Sequence, residues 1–396
     1  MNTSDPIVIA GMARTPIGGF QGILKDVSAP ELGSFAIRAA IERCGVATEN
    51  IDEVLMGCVL PAGLGQAPAR QASLGSGIPN TTGCTTVNKM CGSGMKTAML
   101  ANDSLLAGTN EVMVAGGLES MSNAPYILPK ARSGQRLGHG QMMDHMFLDG
   151  LEDAFDKGIL MGVFAERTAK SYGFSREAQD EFAIRSLTRA KKAIEDGSFN
   201  AEVTPVTYKN RQGEVIVDQD EQPLTANFEK IPKLKPAFDK DGTVTAANSS
   251  SISDGAAALV MMRESIAKKR DLKPIARVLA HSSFAHEPAW FTTAPVGAIR
   301  KLLKTVDWNI NDVDLFEINE AFAVVTMAAM KDLNLPAEKV NVHGGACALG
   351  HPVGASGTRI LVTLISALQK YNKTRGIASL CIGGGEATAM AVEVLS

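Results

Sequence analysis

The chain has 396 residues, of which 45% are hydrophobic and 20% charged, so we expect a globular protein with more than one structural unit. Its 39 lysines and arginines nearly balance 42 aspartates and glutamates, which argues against nucleic acid as a partner. The apolar runs fall short of the roughly 18 residues that cross a bilayer, so we expect no membrane partner. Six cysteines without a C-x-x-C pair, and a start without a basic leader, favour a cytoplasmic location.

Short apolar runs alternate with helical patterns in the first and last thirds of the sequence, which predicts α/β layers. The two thirds also resemble each other. In each, a Val-Asn pair leads through Ser-Gly into a helix and then to a strand that ends in Gly-Gly. Repeated units of this kind predict two duplicated halves of similar topology.

The middle of the chain is turn-rich and charged, which predicts an inserted loop domain. One helix is predicted within it, with Ser175 as its N-cap and Gly197 as its stop signal. We therefore expect an N-terminal half, an inserted loop domain that binds substrate and makes oligomer contacts, and a C-terminal half, at residues 1–120 plus 249–270, 121–248 and 271–396.

Cys91 lies where an apolar β-branched run changes to a strong helical pattern, in TTVNKMCGSGMKT. A thiol at such a strand-to-helix turn faces the positive end of the helix dipole, so we expect a lowered pKa and a reactive thiolate. Gly92 and Gly94 would let a substrate approach closely. The alternative is a small buried cysteine without chemistry.

The segment NVHGGACALGHPVGASGTR holds His343, Cys347 and His351 at spacings of four, which on a helix would suggest a metal site. Its glycines and Pro352 disfavour a helix, so we expect no metal. The pattern instead predicts a glycine-rich loop that presents His351 to a cavity, just before a helix that begins near Ser356. The alternative is a solvated or hydrogen-bonded loop histidine.

Two further polar groups follow strands in the last third. Cys381 lies in IASLCIGGGEA, where three glycines offer N–H groups to an anion. A thiol beside them, with His351 nearby, suits removal of a proton from carbon while an oxyanion is held. Asn319 follows the strand LFEI and would complete this set. The alternatives are a core cysteine and an N-cap role for Asn319.

Eight motifs follow one another along almost the whole chain: ARTPIGGFQG, VNKMCGSGMKT, GGLESMSNAPY, SREAQDEFA, GTVTAANSSSISDGAAA, NEAFA, GGACALGHPVGASGTR and CIGGGEA. Together they resemble the motifs of the thiolases. This resemblance implies a five-layered αβαβα fold of two duplicated halves with an inserted loop domain. It also implies a homo-oligomer, either a dimer or a tetramer.

The resemblance implies roles for individual residues. Cys91 would take the acyl group as a thioester, His351 would activate Cys91, and Cys381 would exchange a proton with the α-carbon. Asn319 would hold a water that, with His351, stabilises the enolate oxygen, while the N–H groups of Cys91 and Gly383 would form a second oxyanion hole. Positions around the CoA and acyl tunnel would be Ser250, Met161, Phe322, Leu160 and Phe291.

Several positions depart from the family pattern. Leu160 stands where a histidine is common, which removes a polar group near the thioester. Phe291 stands where a methionine usually borders the acyl pocket, so its ring would narrow or redirect that pocket. Leu224 replaces an arginine that many members have near the 3′-phosphate of CoA, and His343 replaces an asparagine. Three lysines are candidates to compensate for the missing arginine, namely Lys230, Lys233 and Lys235.

We therefore expect an acetyl-CoA C-acyltransferase that joins two acetyl-CoA molecules into acetoacetyl-CoA, or cleaves 3-ketoacyl-CoA with CoA. The route would be ping-pong through acyl-Cys91, in fatty acid metabolism, with CoA as a substrate and no cofactor. Two alternatives stay open. One is a related condensing synthase, against which Cys381 argues, and the other is a non-catalytic thiolase-like protein that binds acyl-CoA or lipid.

Overall fold

Strands and helices alternate along residues 5–395, the part of the chain that the computed structural model describes. The strands β1 to β14 span Ile7–Arg14, Gly18–Gly19, Glu53–Gly57, Gly83–Val87, Val112–Ser120, Tyr126–Ile127, Met143–Asp144, Val206–Asn210, Gly213–Val217, Ser253–Arg263, Ala276–Ala285, Leu315–Ile318, Arg375–Ile382 and Glu386–Val394. The helices α1 to α11 span Ala29–Cys44, Pro68–Gly75, Ser93–Ala107, Met161–Tyr172, Arg176–Glu195, Glu221–Thr225, Glu264–Lys269, Ala294–Val306, Ala323–Leu333, Ala346–Leu349 and Ser356–Lys370. None of these helices is long and apolar enough to cross a bilayer.

Two half-sheets form the framework. In the N-terminal half the strand order is β4-β3-β5-β10-β1, with β3 parallel to both β4 and β5 and with β10 antiparallel to its neighbours. In the C-terminal half the order is β12-β13-β14-β11, with β12 parallel to β13 and the other pairs antiparallel. A short antiparallel pairing of β1 with β11, at Val8 and Ile9, joins the two.

The apolar side chains of these half-sheets divide between an outer and a central layer. Successive residues of a strand point to opposite faces, so Val114 of β5 packs outward with α1 and α2, while Met113 packs inward. The inward layer holds α3 and α11 between the two half-sheets, with Met95 and Ile360 in one shared core. Helices α8 and α9 cover the far face, around Ile299. The five-layered fold of two duplicated halves predicted from the sequence is confirmed.

The chain between β5 and β10 adds helices and two small two-stranded sheets, β6-β7 and β8-β9, to this framework. As predicted, α5 begins after Ser175, whose hydroxyl accepts the N–H of Ala178, and Gly197 follows its end with a φ of 72°. The fully buried Arg14 of β1 donates to Glu202 and Asp220 at 2.5 and 2.7 Å. These ion pairs tie the inserted segment to the N-terminal half.

Helices α3 and α11 cross at their first turns with almost no space between their backbones. A Cβ on Gly94 would lie 2.8 Å from Thr358 Oγ1, and one on Gly357 would lie 2.2 Å from the backbone nitrogen of Met95. The Thr358 hydroxyl donates to the carbonyl of Gly94 at 2.8 Å. The crossing therefore brings the start of one half's central helix against the start of the other's.

Candidate active site

A cavity of about 380 Å³ lies at the start of α3 and α11, beneath residues of the inserted segment. Of the ten residues singled out from the sequence, eight line this cavity: Cys91, Leu160, Met161, Ser250, Phe291, Phe322, His351 and Gly383. The other two, Asn319 and Cys381, are fully buried and do not line it. The structure therefore gathers groups from both halves and from the insertion around one space.

Cys91 stands at the end of the turn between β4 and α3, and the backbone holds it in place. Met90 takes a left-handed φ of 48°, and the hydroxyl of Ser93 accepts the N–H of Lys89 at 2.8 Å. The N–H groups of Gly383 and of Cys91 itself hydrogen-bond to the Cys91 thiol. The half-buried thiol is thus placed at the cavity by backbone groups of both halves.

Burial governs the ionisation of this thiol. It raises the pKa of Cys91 to about 11, although the N–H groups of Gly383 and Cys91 lower it. The expectation of a lowered pKa at the helix N-terminus is therefore wrong, because the cost of taking a thiolate out of water exceeds the stabilisation by the helix end. At neutral pH the thiol keeps its proton, so its attack on a carbonyl requires a base.

His351 precedes α11 and is held through its Nδ1 atom. This atom lies 2.6 Å from the hydroxyl of Ser356, and that hydroxyl gives its single hydrogen to the carbonyl of Pro352 at 3.0 Å. Because the hydroxyl can then only accept from the ring, we assign the ring proton to Nδ1. Burial, with the charge of Arg359, lowers the pKa of His351 to about 3, and Nε2 has no partner among residues 5–395. A neutral ring with a free Nε2 can accept the proton of Cys91.

His343 and Cys347 do not join His351 at the cavity. The loop prediction holds for this segment except for the single helical turn of α10. The ring of His343 packs edge-on against Phe199, with centroids 5.7 Å apart, and the Sγ of Cys347 lies 3.7 Å from the carbonyl of Glu320. The spacing of four therefore does not bring these three side chains together in one site.

Asn319 follows β12 and lies next to His351. Its Nδ2 is 3.5 Å from Nδ1 of His351, and its Oδ1 accepts from Nη2 of Arg359 at 3.3 Å. The next helix, α9, begins at Ala323 with Phe322 as its N-cap, so the alternative N-cap role for Asn319 is wrong. The side chain belongs instead to the polar groups around His351.

Cys381 lies near the end of β13 within an apolar cluster that includes Met161, Phe291 and Phe322. Those three residues line the cavity, so Cys381 stands directly behind its wall. Burial raises the pKa of Cys381 well above its ordinary value, and the charge of a Cys91 thiolate would raise it further. The second thiol is therefore close to the first and is also protonated at neutral pH.

Two family models match the chain, the N-terminal domain of thiolase over residues 7–265 and the C-terminal domain over residues 272–394. The chain belongs to the thiolase family. An acetyl-CoA acetyltransferase of Escherichia coli (strain K12) is 51% identical to it over 391 residues, 98% of this chain and 99% of that protein. An acetyl-CoA acetyltransferase of Thiocystis violacea is 48% identical over 99% of this chain and 100% of that protein.

Solved structures agree with this assignment. The crystal structure of the Bacillus anthracis acetyl-CoA acetyltransferase superimposes with a TM-score of 0.97 at 44% identity, over 100% of both chains. The Acat5 thiolase from Ascaris suum in complex with coenzyme A gives a TM-score of 0.93 at 42% identity, over 98% of this chain and 100% of that one. The family resemblance drawn from the sequence motifs is confirmed.

Three buried polar residues of this thiolase were not singled out from the sequence, namely Ser356, Arg359 and Glu119. The carboxylate of Glu119 accepts three backbone N–H groups, at 2.9 to 3.1 Å, and thereby ties the loop after β3 to the loop that carries His351; the donors are Val59, Leu60 and Gly354. Burial raises the pKa of Glu119 to about 7. The sequence does carry signals for two of these residues. Glu119 is a single acid in the apolar run VMVAGGLES, and Arg359 is a single arginine in the largely apolar pattern of α11.

The departures from the family pattern lie at different places in this thiolase. Leu160 and Phe291 line the cavity, and the ring of Phe291 is buried. Leu224 is 50% exposed on α6 and does not line it. An adjoining depression of about 270 Å³ shares Ala246 with the cavity and is lined by Lys230. Leu160 and Phe291 therefore change the cavity that Cys91 lines, while Lys230 lies in the adjoining depression.

Proposed function

We propose that this thiolase is an acetyl-CoA acetyltransferase, which condenses two acetyl-CoA molecules to acetoacetyl-CoA and in reverse cleaves 3-ketoacyl-CoA with CoA. The observation that carries the proposal is a single cavity lined by the protonated thiol of Cys91 and by a neutral His351 with a free Nε2. A nucleophile and a base are the two groups that acyl transfer to sulfur requires. The names of the Escherichia coli and Thiocystis violacea relatives support the same activity.

The first half-reaction acetylates Cys91. Nε2 of His351 accepts the thiol proton while the sulfur attacks the thioester carbon of acetyl-CoA. A bond forms between that carbon and the Cys91 sulfur, the bond to the CoA sulfur breaks, and the proton on His351 passes to CoA, which leaves as a thiol. The N–H groups of Gly383 and Cys91 already donate to the sulfur, and they are placed to stabilise the oxyanion at the attacked carbon.

The second half-reaction makes the carbon–carbon bond. Cys381 first loses its own proton to water, and its thiolate then takes a proton from the methyl group of a second acetyl-CoA. The enolate carbon attacks the acetyl group on Cys91, and the new carbon–carbon bond forms as the bond to the Cys91 sulfur breaks. The Cys91 sulfur recovers a proton from the Cys381 thiol, which returns Cys381 to its thiolate form. The raised pKa of Cys381 suits this step, because a stronger base removes a proton from carbon more readily. A water held by Asn319, together with His351 when its Nε2 carries a proton, stabilises the enolate oxygen.

The shape and charge of the cavity support a CoA thioester as the substrate. Ser250, Met161 and Phe322 line it together with Leu160, and these groups would contact the pantetheine arm. Lys230 in the adjoining depression supplies a positive charge for the phosphates of CoA. CoA enters as a substrate, so the proposed chemistry uses no cofactor.

We also propose that this thiolase acts as a homodimer or homotetramer in the cytoplasm, in fatty acid metabolism. Large apolar side chains that are exposed on the inserted segment support an oligomer, at Tyr126, Leu137, Met142 and Phe155. All six cysteines, which fall within residues 5–395, are free thiols, as a reducing compartment favours. The use of 3-ketoacyl-CoA supports the metabolic placement. Light scattering after gel filtration would measure the oligomeric state.

Acetylation measured by mass spectrometry tests the proposed activity. Incubation with acetyl-CoA is expected to add one acetyl group per chain to the unmodified protein and none to the Cys91→Ala variant. Thiolysis of a series of 3-ketoacyl-CoA substrates then tests the chain length, and a preference for acetoacetyl-CoA is expected. Activity that rises with chain length would contradict the acetyl preference, and CoA binding without acetylation would favour the non-catalytic alternative.

The Cys381→Ala variant tests the division of labour between the two thiols. It is expected to keep acetylation of Cys91 and to lose the formation and cleavage of the carbon–carbon bond. Loss of both half-reactions together would contradict the role given to Cys381. A variant that keeps condensation would favour the condensing-synthase alternative, since those enzymes lack a second active-site cysteine.

A further inference from the structure

The amide of Asn319 is held from behind by one buried arginine. Arg359, on the second turn of α11, is 2% exposed, and its Nη2 donates to Oδ1 of Asn319 at 3.3 Å. Its Nη1 lies 3.5 Å from a carboxylate oxygen of Glu317, which is also buried. The guanidinium therefore links two side chains of the strand end β12 without reaching the cavity itself.

This contact decides which way the amide points. The oxygen and nitrogen of an asparagine amide differ little in size, so either end of Asn319 fits the same space. A guanidinium has only donors and cannot accept from Nδ2. Oδ1 must therefore face Arg359, which turns Nδ2 toward His351.

The donor that results is not used by the histidine. Nδ1 of His351 lies 3.5 Å from Nδ2, but its hydrogen is directed to the hydroxyl of Ser356 at 2.6 Å. Two donors thus face each other, and Nδ2 keeps its hydrogens for a third partner on that side. A flipped amide would instead present Oδ1, which cannot donate to a developing enolate oxygen or to the oxygen of a water that serves it.

We propose that Arg359 is a positioning residue for the carbon–carbon step, because its fork between Glu317 and Asn319 fixes the asparagine with Oδ1 on the guanidinium and Nδ2 on the side of His351, free to donate to the water that serves the enolate. The inference rests on the proposed function of Asn319. It separates the two half-reactions, since acetylation of Cys91 uses Gly383 and His351 but not Asn319. Loss of the fork should therefore slow the carbon–carbon step and leave acetylation nearly intact.

The Arg359→Lys variant keeps the buried charge but cannot bridge both partners with a planar fork. Acetylation of Cys91 by acetyl-CoA would be followed by mass spectrometry, and the second step by loss of deuterium from methyl-deuterated acetyl-CoA. We expect acetylation to stay within about threefold of the unmodified protein, and deuterium loss to slow by about tenfold or more.

A double variant distinguishes orientation from general loosening. If Arg359 acts through Asn319, then Asn319→Ala together with Arg359→Lys should exchange deuterium no more slowly than Asn319→Ala alone. A double variant that multiplies the two single effects would overturn the inference, as would an Arg359→Lys variant in which both half-reactions slow equally.

Arg189→Lys is the matched control, since this half-buried arginine donates to the carbonyls of Ala337 and Val340 and does not itself line the cavity. It is expected to change the ratio of the two rates by less than about twofold. If Arg359→Lys does not fold, Arg359→Gln can both donate to and accept from the Asn319 amide, so it no longer fixes the orientation and should be slowed selectively in the same way. Failure of the unmodified protein to acetylate would instead contradict the proposed function, which separates that outcome from failure of this inference.

Discussion

The two halves of the molecule hold their reactive groups in contrasting ways. Cys91 is half-buried, and its turn is held mainly by backbone, through the left-handed Met90 and the N–H of Gly383, with one side chain, that of Ser93. His351 is buried and is held at Nδ1 by a side chain, the hydroxyl of Ser356. In the proposed mechanism the thiol changes its bonding partner in every half-reaction, whereas the base must keep one tautomer throughout. The Cys91 sulfur is free to form new bonds at the cavity, while the contact at Nδ1 keeps His351 in a single tautomer.

The largest expected effect comes from replacing the sulfur atom of Cys91 with oxygen. Cys91→Ser should lower kcat/KM for thiolysis by at least about 1,000-fold, because an alcohol gives up its proton far less readily than a thiol whose pKa is about 11. Steady-state kinetics with acetoacetyl-CoA and CoA measure this. Turnover within tenfold of the unmodified protein would contradict the role of Cys91.

The next effect tests the side-chain support of the base. Ser356→Ala removes the acceptor of the Nδ1 proton, so the other tautomer, with hydrogen on Nε2, becomes accessible and cannot accept from Cys91. We expect acetylation of Cys91 to slow by about 30-fold to 100-fold, with the thermal midpoint changed by only a few degrees. Ser366→Ala, a buried serine further along α11, should leave the rate unchanged. Equal rates in the two variants would show that the tautomer does not depend on Ser356.

The loop that carries the base also makes the fold sensitive to acid. Burial lowers the pKa of His343 from 6.5 to about 4, so the folded state binds this proton less tightly than the unfolded chain. The stabilisation is complete above pH 6.5 and is lost as the pH falls toward 4. When the pH falls from 7 to 5, the unfolding free energy of the unmodified protein should decrease by about 2 kcal/mol more than that of His343→Leu.

Urea unfolding at the two pH values would measure this difference. His351, whose pKa is also lowered, remains in the variant and keeps its own share of the acid sensitivity. His139→Leu, at an exposed position, is the control and should unfold with the same pH dependence as the unmodified protein. An identical pH dependence in His343→Leu would mean that His343 binds its proton as tightly in the folded state as in the unfolded chain.

The smallest expected effect is on the unfolding free energy and concerns Glu119, which ties the loop after β3 to the loop that carries His351. Glu119→Gln would turn an amide nitrogen toward backbone N–H groups that now donate to the carboxylate, including those of Val59 and Gly354. Because an N–H group that faces the amide nitrogen loses its acceptor, the unfolding free energy should fall by about 1–2 kcal/mol at pH 8. Urea unfolding measures it, with the partly exposed Glu111→Gln as a control near zero. A gain in stability would show that the carboxylate is not the bound form.

Much of the fold and of the site could be predicted because the functional groups stand at strand ends within recognisable motifs. Cys91 was located from the change of period between β4 and α3, and His351 from its glycine-rich loop. The pKa of Cys91 could not be predicted, since it depends on burial against residues such as Met146 and Val353, which are distant in the sequence. The contact of Arg359 with Asn319 spans 40 positions and has no local signal.

The close crossing of α3 and α11 also determines when the chain becomes able to react during its synthesis. Gly94 and Thr358, which bond there, are 264 positions apart, and contacts of such separation form late. A ribosome-bound chain that has emerged through α3 but not α11 carries Cys91 with no base beside it, and its thiol keeps its proton. Acetyl-CoA in the surrounding solution therefore meets an unreactive cysteine until the segment that carries His351 and α11 has folded into place.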